Sequence, residues 1–340
     1  MDDEREASGL RLPLLITGLA GVAGYNAFRY LSARYPGQVI ATRRVDNWPL
    51  QGEGILGCDA HDGEQLARLF DQYRFRTVLN SEGSCALKSC ELDPQMAQRV
   101  NVGSVANLLD TIGHSDVRLV HLSVDLVFSG QGDGLHAEED QTDPVTVYGK
   151  TMVEAEQLIL TRRPDACILR ISLPMGISFN GHAGAIDWIQ SRFKKSKPAT
   201  LYYDEIRSPT YTDCLNLLLE DVLRRDLAGL YHAGGPNHLS LFQIAQVINR
   251  VGGYDPDLLN GCLRHEAGPM PPRAGNVTMR SDKLAKALGY EPFTPWPWFE
   301  EHVPTDPEWH YGGRSEAYGS PHLLASVLYR NPSRDVAFRK

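Results

Sequence analysis

The chain has 340 residues, of which 42% are hydrophobic and 22% are charged, and its formal net charge is −8 at pH 7. This composition is typical of a folded enzyme-sized protein, and the dispersed basic residues exclude a cationic surface for nucleic acid. Six cysteines show no CxxC spacing. Neither a metal site nor a disulfide framework is therefore predicted.

The first eleven residues, MDDEREASGLR, are polar and acidic, and we predict a flexible N-terminal extension over 1–11. They lack the apolar segment of a secretory signal, and no later run has the length of a membrane span. We therefore expect a cytoplasmic protein with no membrane partner. The sequence is compatible with a homo-oligomer but does not define one.

Apolar strand-like runs and helical patterns alternate along the first half of the chain. Such alternation predicts an α/β fold, a Rossmann-like doubly wound parallel sheet with right-handed crossovers. The predicted elements are strand 12–17, helix 22–34, strand 39–42, helix 63–74, strand 77–80, helix 94–112, strand 118–123, helix 147–163 and strand 167–172.

The pattern becomes less regular after residue 173, where prolines are more frequent and helices such as 240–250 are shorter. This change in pattern predicts that the chain forms two lobes. The predicted divisions are an NAD(P)-binding Rossmann domain over 12–173, a smaller substrate-binding lobe over 174–305 with a strand near 231–235 returning to the main sheet, and a C-terminal tail of unknown role over 306–340.

Three glycines at three-residue spacing follow the first predicted strand. Gly18 permits a tight turn, Gly21 lets the backbone approach a pyrophosphate, and Gly24 lets the next helix pack closely on the strand. The alternative is a strand that simply ends in glycines. The residues predicted to bind a dinucleotide at this loop are Thr17, Gly18, Gly21, Val22, Ala23 and Gly24.

Basic residues end the second predicted strand, where an acidic residue would bind the ribose of NAD. Arg43, followed by Arg44, suits the 2′-phosphate of NADP, so NADP is favoured and NAD is the alternative cofactor. Two solvated loop arginines would give the same pattern. We also assign Asp59 to the adenine, and Asn80 and Ser123 to the cofactor, because they follow or end neighbouring strands.

Tyr148 begins the predicted helix 147–163, after an apolar strand with a polar end. This arrangement resembles the way in which short-chain dehydrogenases present a proton donor to a carbonyl. In them a lysine four residues later, about 40° round the helix, lowers the phenol pKa. That position is Met152 here. Lys150 is about 200° round the helix from Tyr148, on the opposite face.

Several segments, matching in order over most of the chain, resemble the dTDP-4-dehydrorhamnose reductases, an extended branch of the short-chain dehydrogenases/reductases. That family reduces the 4-keto group of a deoxyhexose on a nucleoside diphosphate with a nicotinamide hydride. It also contains a non-catalytic relative, the regulatory β subunit of methionine adenosyltransferase. The matching segments are HLSVDLVFSG (121–130), EEDQTDPVTVYGKT (138–151), DEIRSPTYTD (204–213), GLYHAGG (229–235) and PRAGNVTMRSDKL (272–284).

The resemblance implies that Tyr148 is the proton donor, but the other two catalytic positions are altered. Val124 stands where the family has threonine or serine, and Met152 replaces the lysine. Ser123 is adjacent, but neighbouring strand residues point to opposite faces. Glu82 departs from the family's small apolar residue. The resemblance thus implies a slow or altered NADP-dependent reductase of a 4-keto deoxysugar nucleotide; the alternative is a non-catalytic NAD(P)-binding regulatory subunit.

Three residues of the second lobe are assigned by the same resemblance to a nucleotide-sugar substrate, namely Arg207, Thr210 and Arg273. Arginine suits bidentate phosphate contacts. Each has a plainer interpretation: Ser-Pro-Thr at 208–210 is also a helix-capping sequence, and Arg273 suits a solvated loop. His121, inside an apolar strand, is interpreted as a core histidine rather than a base.

Overall fold

The computed structural model describes residues 9–181, 184–268, 270–313 and 315–329. The strands are β1 (Leu14–Ile16), β2 (Val39–Arg43), β3 (Ile55–Gly57), β4 (Thr77–Asn80), β5 (Arg118–Val124), β6 (Cys167–Ile171), β7 (Pro174–Met175), β8 (Ala199–Tyr202), β9 (Ile206–Arg207), β10 (Thr210–Tyr211), β11 (Gly229–Ala233), β12 (Leu239–Ser240) and β13 (Leu259–Cys262). Seven of them form a parallel sheet in the order β11-β6-β5-β4-β1-β2-β3. The predicted Rossmann-like fold class is confirmed.

Helices cover both faces of this sheet, with α1 and α8 on one face and α2, α5 and α6 on the other. The helices of the described chain are α1 (Val22–Arg34), α2 (Gly63–Tyr73), α3 (Leu87–Leu92), α4 (Pro94–Gln98), α5 (Ser104–Ile112), α6 (Val147–Arg162), α7 (Ala185–Lys194), α8 (Thr212–Arg224), α9 (Leu241–Val251), α10 (Asp282–Leu288) and α11 (Pro321–Leu328). Consecutive strand residues alternate between the faces: Leu14 joins the core under α1 and α8, whereas Leu15 joins the core under α2, α5 and α6. Burial on both faces explains why these strands are continuously apolar.

The predicted helix 94–112 contains a π-helical segment, Arg99–Gly103, between α4 and α5. Asn101 lies in this segment, and its side chain links two parts of the chain. Its Oδ1 accepts from the backbone amide of Ser84 at 2.7 Å, and its Nδ2 donates to Thr151 Oγ1 at 2.8 Å. The π-helical turn thereby joins the loop after β4 to the first turns of α6, a placement often found near functional sites.

The chain beyond residue 173 forms a smaller set of elements and also returns to the main sheet. Strands β8 and β13 pair beside α7 and α9, whereas β11 lies at the edge of the seven-stranded sheet next to β6. The division into two lobes stays a prediction. The end of α11 is anchored in the core, because Tyr211 Oη donates to the carbonyl of Val327 at 2.6 Å. Residues 314 and 330–340 of the predicted tail lie outside the described residues.

Residues 1–8 of the predicted N-terminal extension also lie outside the described residues. Arg11, at the end of that extension, pairs with Asp116 at 2.9 Å, and its carbonyl accepts from Thr77 Oγ1 at 2.5 Å. Among the described helices, none combines the length and apolar character needed to cross a membrane.

Candidate active site

The glycine loop between β1 and α1 is closely covered by the chain that follows β4. Gly18 has a positive φ of 69°, and a Cβ atom on it would lie 2.2 Å from the carbonyl oxygen of Ser81. A Cβ on Gly24 would lie 2.6 Å from Ser81 Oγ and 2.7 Å from the Gly18 carbonyl. Both positions therefore require glycine for the backbone to approach this closely.

Gly21 differs from the other two glycines because no described residue crowds it. It is exposed, and the nearest atom to a Cβ on it would be the Gly18 carbonyl oxygen at 3.5 Å, an ordinary contact. Gly21 is the N-cap of α1, and no side chain caps this helix end. Val22 and Ala23, the first helical residues, are buried. The open space and the uncapped amide groups suit an anionic ligand such as a pyrophosphate.

Thr17 and Asn80 lie beneath this loop and bind each other. Thr17 Oγ1 donates to Asn80 Oδ1 at 2.6 Å and accepts from the amide of Ser81 at 3.2 Å. Asn80 Nδ2 contacts His121 Nδ1 at 2.9 Å. His121 is fully buried, and burial lowers its pKa to about 4, so the ring is neutral. These residues position the loop after β4, in agreement with the interpretation of His121 as a core histidine.

The basic residues at the end of β2 are already engaged in local contacts. Arg43 Nε donates to the carbonyl of Leu50 at 2.7 Å, so its guanidinium binds the backbone of the loop that follows β2. Arg44 is exposed and pairs with Asp46 at 2.6 Å. Asp59 accepts a backbone amide of the same loop at 3.0 Å. The assignments of Arg43 and Asp59 to a cofactor stay predictions, and Arg44 is the arginine more accessible to a ligand.

Glu82 brings a carboxylate to the glycine loop. The side chain is half-buried, and the backbone amide of Gly18 hydrogen-bonds to it. Burial raises the pKa of Glu82 to about 7, with Asp59 contributing in the same direction and Arg44 opposing it. A carboxyl group that changes protonation near neutral pH thus lies beside the proposed phosphate-binding backbone.

Tyr148 lies in the first turn of α6, which packs directly on the segment after β5. Thr146 caps the helix by accepting from the amide of Gly149 at 2.9 Å, and a Cβ on Gly149 would lie 2.2 Å from the carbonyl oxygen of Leu126. Tyr148 is only 6% exposed, and burial raises its pKa well above the usual value near 10. Within the described part of the chain, its hydroxyl has no hydrogen-bond partner.

Apolar side chains replace the polar partners that a catalytic tyrosine usually has. Val124 and Met152 belong to the same hydrophobic cluster as Tyr148, and Met152 is 3% exposed. Lys150 is exposed, as its position on the opposite face of the helix predicts. It does not replace the missing lysine.

Ser123 points away from this cluster, into a buried ion pair on the other face of β5. Its hydroxyl donates to Glu156, which is held by Arg170 through bonds of 2.9 and 2.7 Å. His232 contacts Arg170 at 3.3 Å. The assignment of Ser123 to the cofactor is untested, but its hydroxyl is engaged inside the protein and does not replace the one lost at Val124.

The sequence did not indicate the ion pair beside Tyr148. Arg207 is buried and forms a bidentate pair with Asp125, with bonds of 2.7 and 2.5 Å. Ser172 Oγ donates to the same carboxylate at 2.6 Å. The charge of Arg207 lowers the pKa of Tyr148, whereas Asp125 raises it, so the two effects oppose each other. The sequence offers one signal for this ion pair, namely that Asp125 and Arg207 both lie in segments that resemble the reductase family.

The predicted substrate residues Arg207 and Arg273 converge on one buried carboxylate. Glu205 lies 3.6 Å from Arg207 Nη1 and 2.9 Å from Arg273 Nε. Arg273 also stacks over the ring of Tyr202 at 4.6 Å. Thr210 is buried, and its hydroxyl has no partner among the described residues.

The helix-capping alternative for Ser-Pro-Thr at 208–210 is not observed. The N-cap of α8 is Tyr211, and no side chain caps this end of the helix. Across the described ranges, no group of three or more His, Cys, Asp or Glu residues is arranged to hold a metal ion.

Comparison with curated proteins finds relatives of two kinds. The dTDP-4-dehydrorhamnose reductase of Mycolicibacterium smegmatis is 28% identical over 293 residues, which cover 83% of this chain and 82% of the relative. Methionine adenosyltransferase 2 subunit beta of Danio rerio is 21% identical over 284 residues, covering 80% of this chain and 83% of the relative. Both an enzyme and a subunit of another enzyme therefore resemble the chain.

Solved structures share the fold. The dTDP-4-dehydrorhamnose reductase of Bacillus anthracis in complex with NADP aligns with a TM-score of 0.69 and 19% identity, covering 83% of this chain and 95% of the other. The UDP-glucose 4-epimerase of Thermus thermophilus in complex with NAD aligns with a TM-score of 0.70 and 22% identity, covering 83% and 94%. The family model of the RmlD substrate binding domain matches residues 12–303, and the chain belongs to that family.

Proposed function

We propose that the chain is an NADP-dependent reductase of a 4-keto deoxysugar nucleotide, with a slow or altered reaction. The observation that supports this most strongly is Tyr148 in the first turn of α6, beside the carboxyl end of β5. The glycine loop follows the carboxyl end of β1 in the same parallel sheet. Ligands of such sheets bind outside the carboxyl ends of the strands, so both features lie at the edge of the sheet where a ligand would bind.

The residues of the loop fit a dinucleotide. The space over Gly21 and the uncapped start of α1 would hold the pyrophosphate. The exposed Arg44 would bind a 2′-phosphate by exchanging its surface partner Asp46 for it. The reduced form, NADPH, would supply the hydride for the carbonyl carbon when bound. The solved relative from Bacillus anthracis holds NADP and that from Thermus thermophilus holds NAD, which supports a nicotinamide dinucleotide without choosing between the two.

Tyr148 would supply the proton for the carbonyl oxygen. Its raised pKa keeps the hydroxyl protonated at neutral pH, so it can donate. The phenolate left behind is poorly stabilised, because Met152 carries no charge and Arg207 is paired with Asp125. Val124 also offers no hydrogen bond to the carbonyl. Losing one such donor typically costs about a hundredfold in rate, which is why we propose a slow enzyme.

Two arginine side chains from the chain beyond residue 173 support an anionic substrate. Arg273 is partly exposed, and a diphosphate would compete with Glu205 for its guanidinium. Arg207 is more deeply buried and would act through its charge.

The proposal is tested by incubating the protein with NADPH and a panel of 4-keto deoxysugar nucleotides, and by following NADPH absorbance and the product by NMR. We expect slow oxidation of NADPH with formation of the 4-hydroxy sugar. Consumption of NADPH without sugar reduction, or no consumption with any member of the panel, would contradict the proposal.

A second function, that of a non-catalytic NAD(P)-binding regulatory subunit, is favoured by one observation. Val124 and Met152 fill the space around Tyr148 with apolar groups, as expected of a pocket that is no longer selected for catalysis. The relative named methionine adenosyltransferase 2 subunit beta adds support. Tight binding of NADPH without turnover, together with pull-down of a partner enzyme, would favour this function over the first.

A further inference from the structure

Glu82 is held against the glycine loop by its backbone. A Cβ on Gly18 would lie 2.2 Å from the Ser81 carbonyl oxygen and 2.7 Å from the Glu82 nitrogen, so the peptide between them rests on Gly18. Ser81 Oγ donates to the carbonyl of Thr17 at 2.5 Å. These contacts fix the backbone at Glu82, and the backbone amide of Gly18 hydrogen-bonds to its carboxylate, which therefore lies at the loop.

The charged groups around Glu82 do not offset the negative charge of its carboxylate. Arg44 faces it from the end of β2, but that guanidinium is exposed and already pairs with Asp46 at 2.6 Å. Asp59, after β3, adds a second negative charge, and the thiol of Cys58 lies on the same side. The first turn of α1 contributes uncharged residues only. Among the residues that the structure describes, a pyrophosphate in this loop would therefore meet a carboxylate without a dedicated cation.

We propose that a dinucleotide binds at this loop only when Glu82 carries a proton, which is taken from solvent on binding and returned on dissociation. The inference rests on the proposed function, since it concerns the same cofactor site. Like charges in a half-buried site repel strongly, whereas a neutral carboxyl group donates a hydrogen bond to a phosphate oxygen. Cofactor affinity thereby becomes dependent on pH in the neutral range.

The sign and size of this dependence follow from the ionisation of Glu82 in the free protein. Burial raises its pKa to about 7, so the group is protonated at pH 6 and ionised at pH 8.5. If only the protonated form binds, the dissociation constant increases by about thirtyfold between these two pH values. Affinity is highest on the acidic side and falls as the pH rises through 7.

The experiment measures the dissociation constant of NADH by fluorescence from pH 6 to 8.5. NADH is used because the 2′-phosphate of NADPH ionises near pH 6 itself. For the natural protein and the exposed control Glu308→Gln, we expect the dissociation constant to increase about thirtyfold from pH 6 to 8.5. For Glu82→Gln it should change by less than about threefold. At pH 8.5 Glu82→Gln should bind NADH more tightly than the natural protein does.

Calorimetry provides a test that needs no variant. Titrations of the natural protein with NADH at pH 8 in two buffers of different ionisation enthalpy should show uptake of close to one proton per cofactor. Uptake near zero, or an unchanged pH dependence in Glu82→Gln, would overturn the inference while leaving the cofactor function in place. If neither the natural protein nor Glu82→Gln binds any dinucleotide at any pH, the inference and the proposed cofactor function are both overturned.

Discussion

Alanine substitutions at Gly21 and Gly24 should affect different properties of the protein. Gly21→Ala should mainly weaken cofactor binding, and Gly24→Ala should mainly lower stability. At Gly21 the added methyl group has its nearest neighbour 3.5 Å away, and the backbone angles of φ −74° and ψ 152° suit alanine. At Gly24 the methyl group would lie 2.6 Å from Ser81 Oγ and 2.7 Å from the Gly18 carbonyl. Only the second substitution forces the protein itself to move.

The magnitudes follow from these distances. For Gly21→Ala we expect a loss of at most about 1 kcal/mol in the free energy of unfolding, the usual effect of alanine at an N-cap. For Gly24→Ala we expect about 1–3 kcal/mol, the range for an added group in a filled site. Because the methyl group on Gly21 enters the space proposed for the pyrophosphate, that variant should bind NADPH at least about tenfold more weakly, or about 1.4 kcal/mol.

Fluorescence titration with NADPH and urea unfolding of both variants measure these quantities. The reasoning predicts that Gly21→Ala is stable but binds poorly. Unchanged NADPH affinity in Gly21→Ala would refute the idea that the pyrophosphate lies over this residue.

Further variants test the site and its surroundings. Asp125→Asn removes the carboxylate that binds Arg207 through two hydrogen bonds and leaves it only Glu205, 3.6 Å away. The free energy of unfolding should therefore fall by about 3 kcal/mol, the lower end of the range for a broken buried ion pair. The exposed control Asp46→Asn should change it by less than about 1 kcal/mol in urea unfolding, and similar losses for both would contradict the argument. The double variant Val124→Thr with Met152→Lys should raise turnover by more than about tenfold. No gain in its NADPH oxidation rate, in a folded protein, would mean that the substrate pocket has diverged too.

The elements of the cofactor-binding half could be predicted closely from the sequence. Helix α1 and strand β4 begin and end at the predicted residues, because glycines or polar residues flank strongly patterned runs. The π-helical segment Arg99–Gly103 could not be predicted, since one extra residue in a turn hardly disturbs the helical pattern. Helix α11 was missed because its eight residues follow a region without periodicity.

The polar contacts of the site were much harder to predict than its backbone. Asp125 and Arg207 are 82 residues apart in the chain, and nothing in their local sequence links them. The place of Ser123 at a strand end suggests a contact with the cofactor. Its hydroxyl instead binds Glu156, on the face of β5 that points away from Tyr148. Such pairings depend on which elements pack together. The glycine spacing, in contrast, encodes its geometry locally.

Single-turnover oxidation of NADPH by the natural protein and by Tyr148→Phe tests the central claim most directly. Both proteins are saturated with NADPH and mixed with a 4-keto deoxysugar nucleotide in a stopped-flow instrument. We predict that the natural protein oxidises NADPH as the sugar is reduced, and that Tyr148→Phe binds NADPH equally well but reacts at least about a hundredfold more slowly. Equal rates in the two proteins would contradict the assignment of Tyr148 as the proton donor.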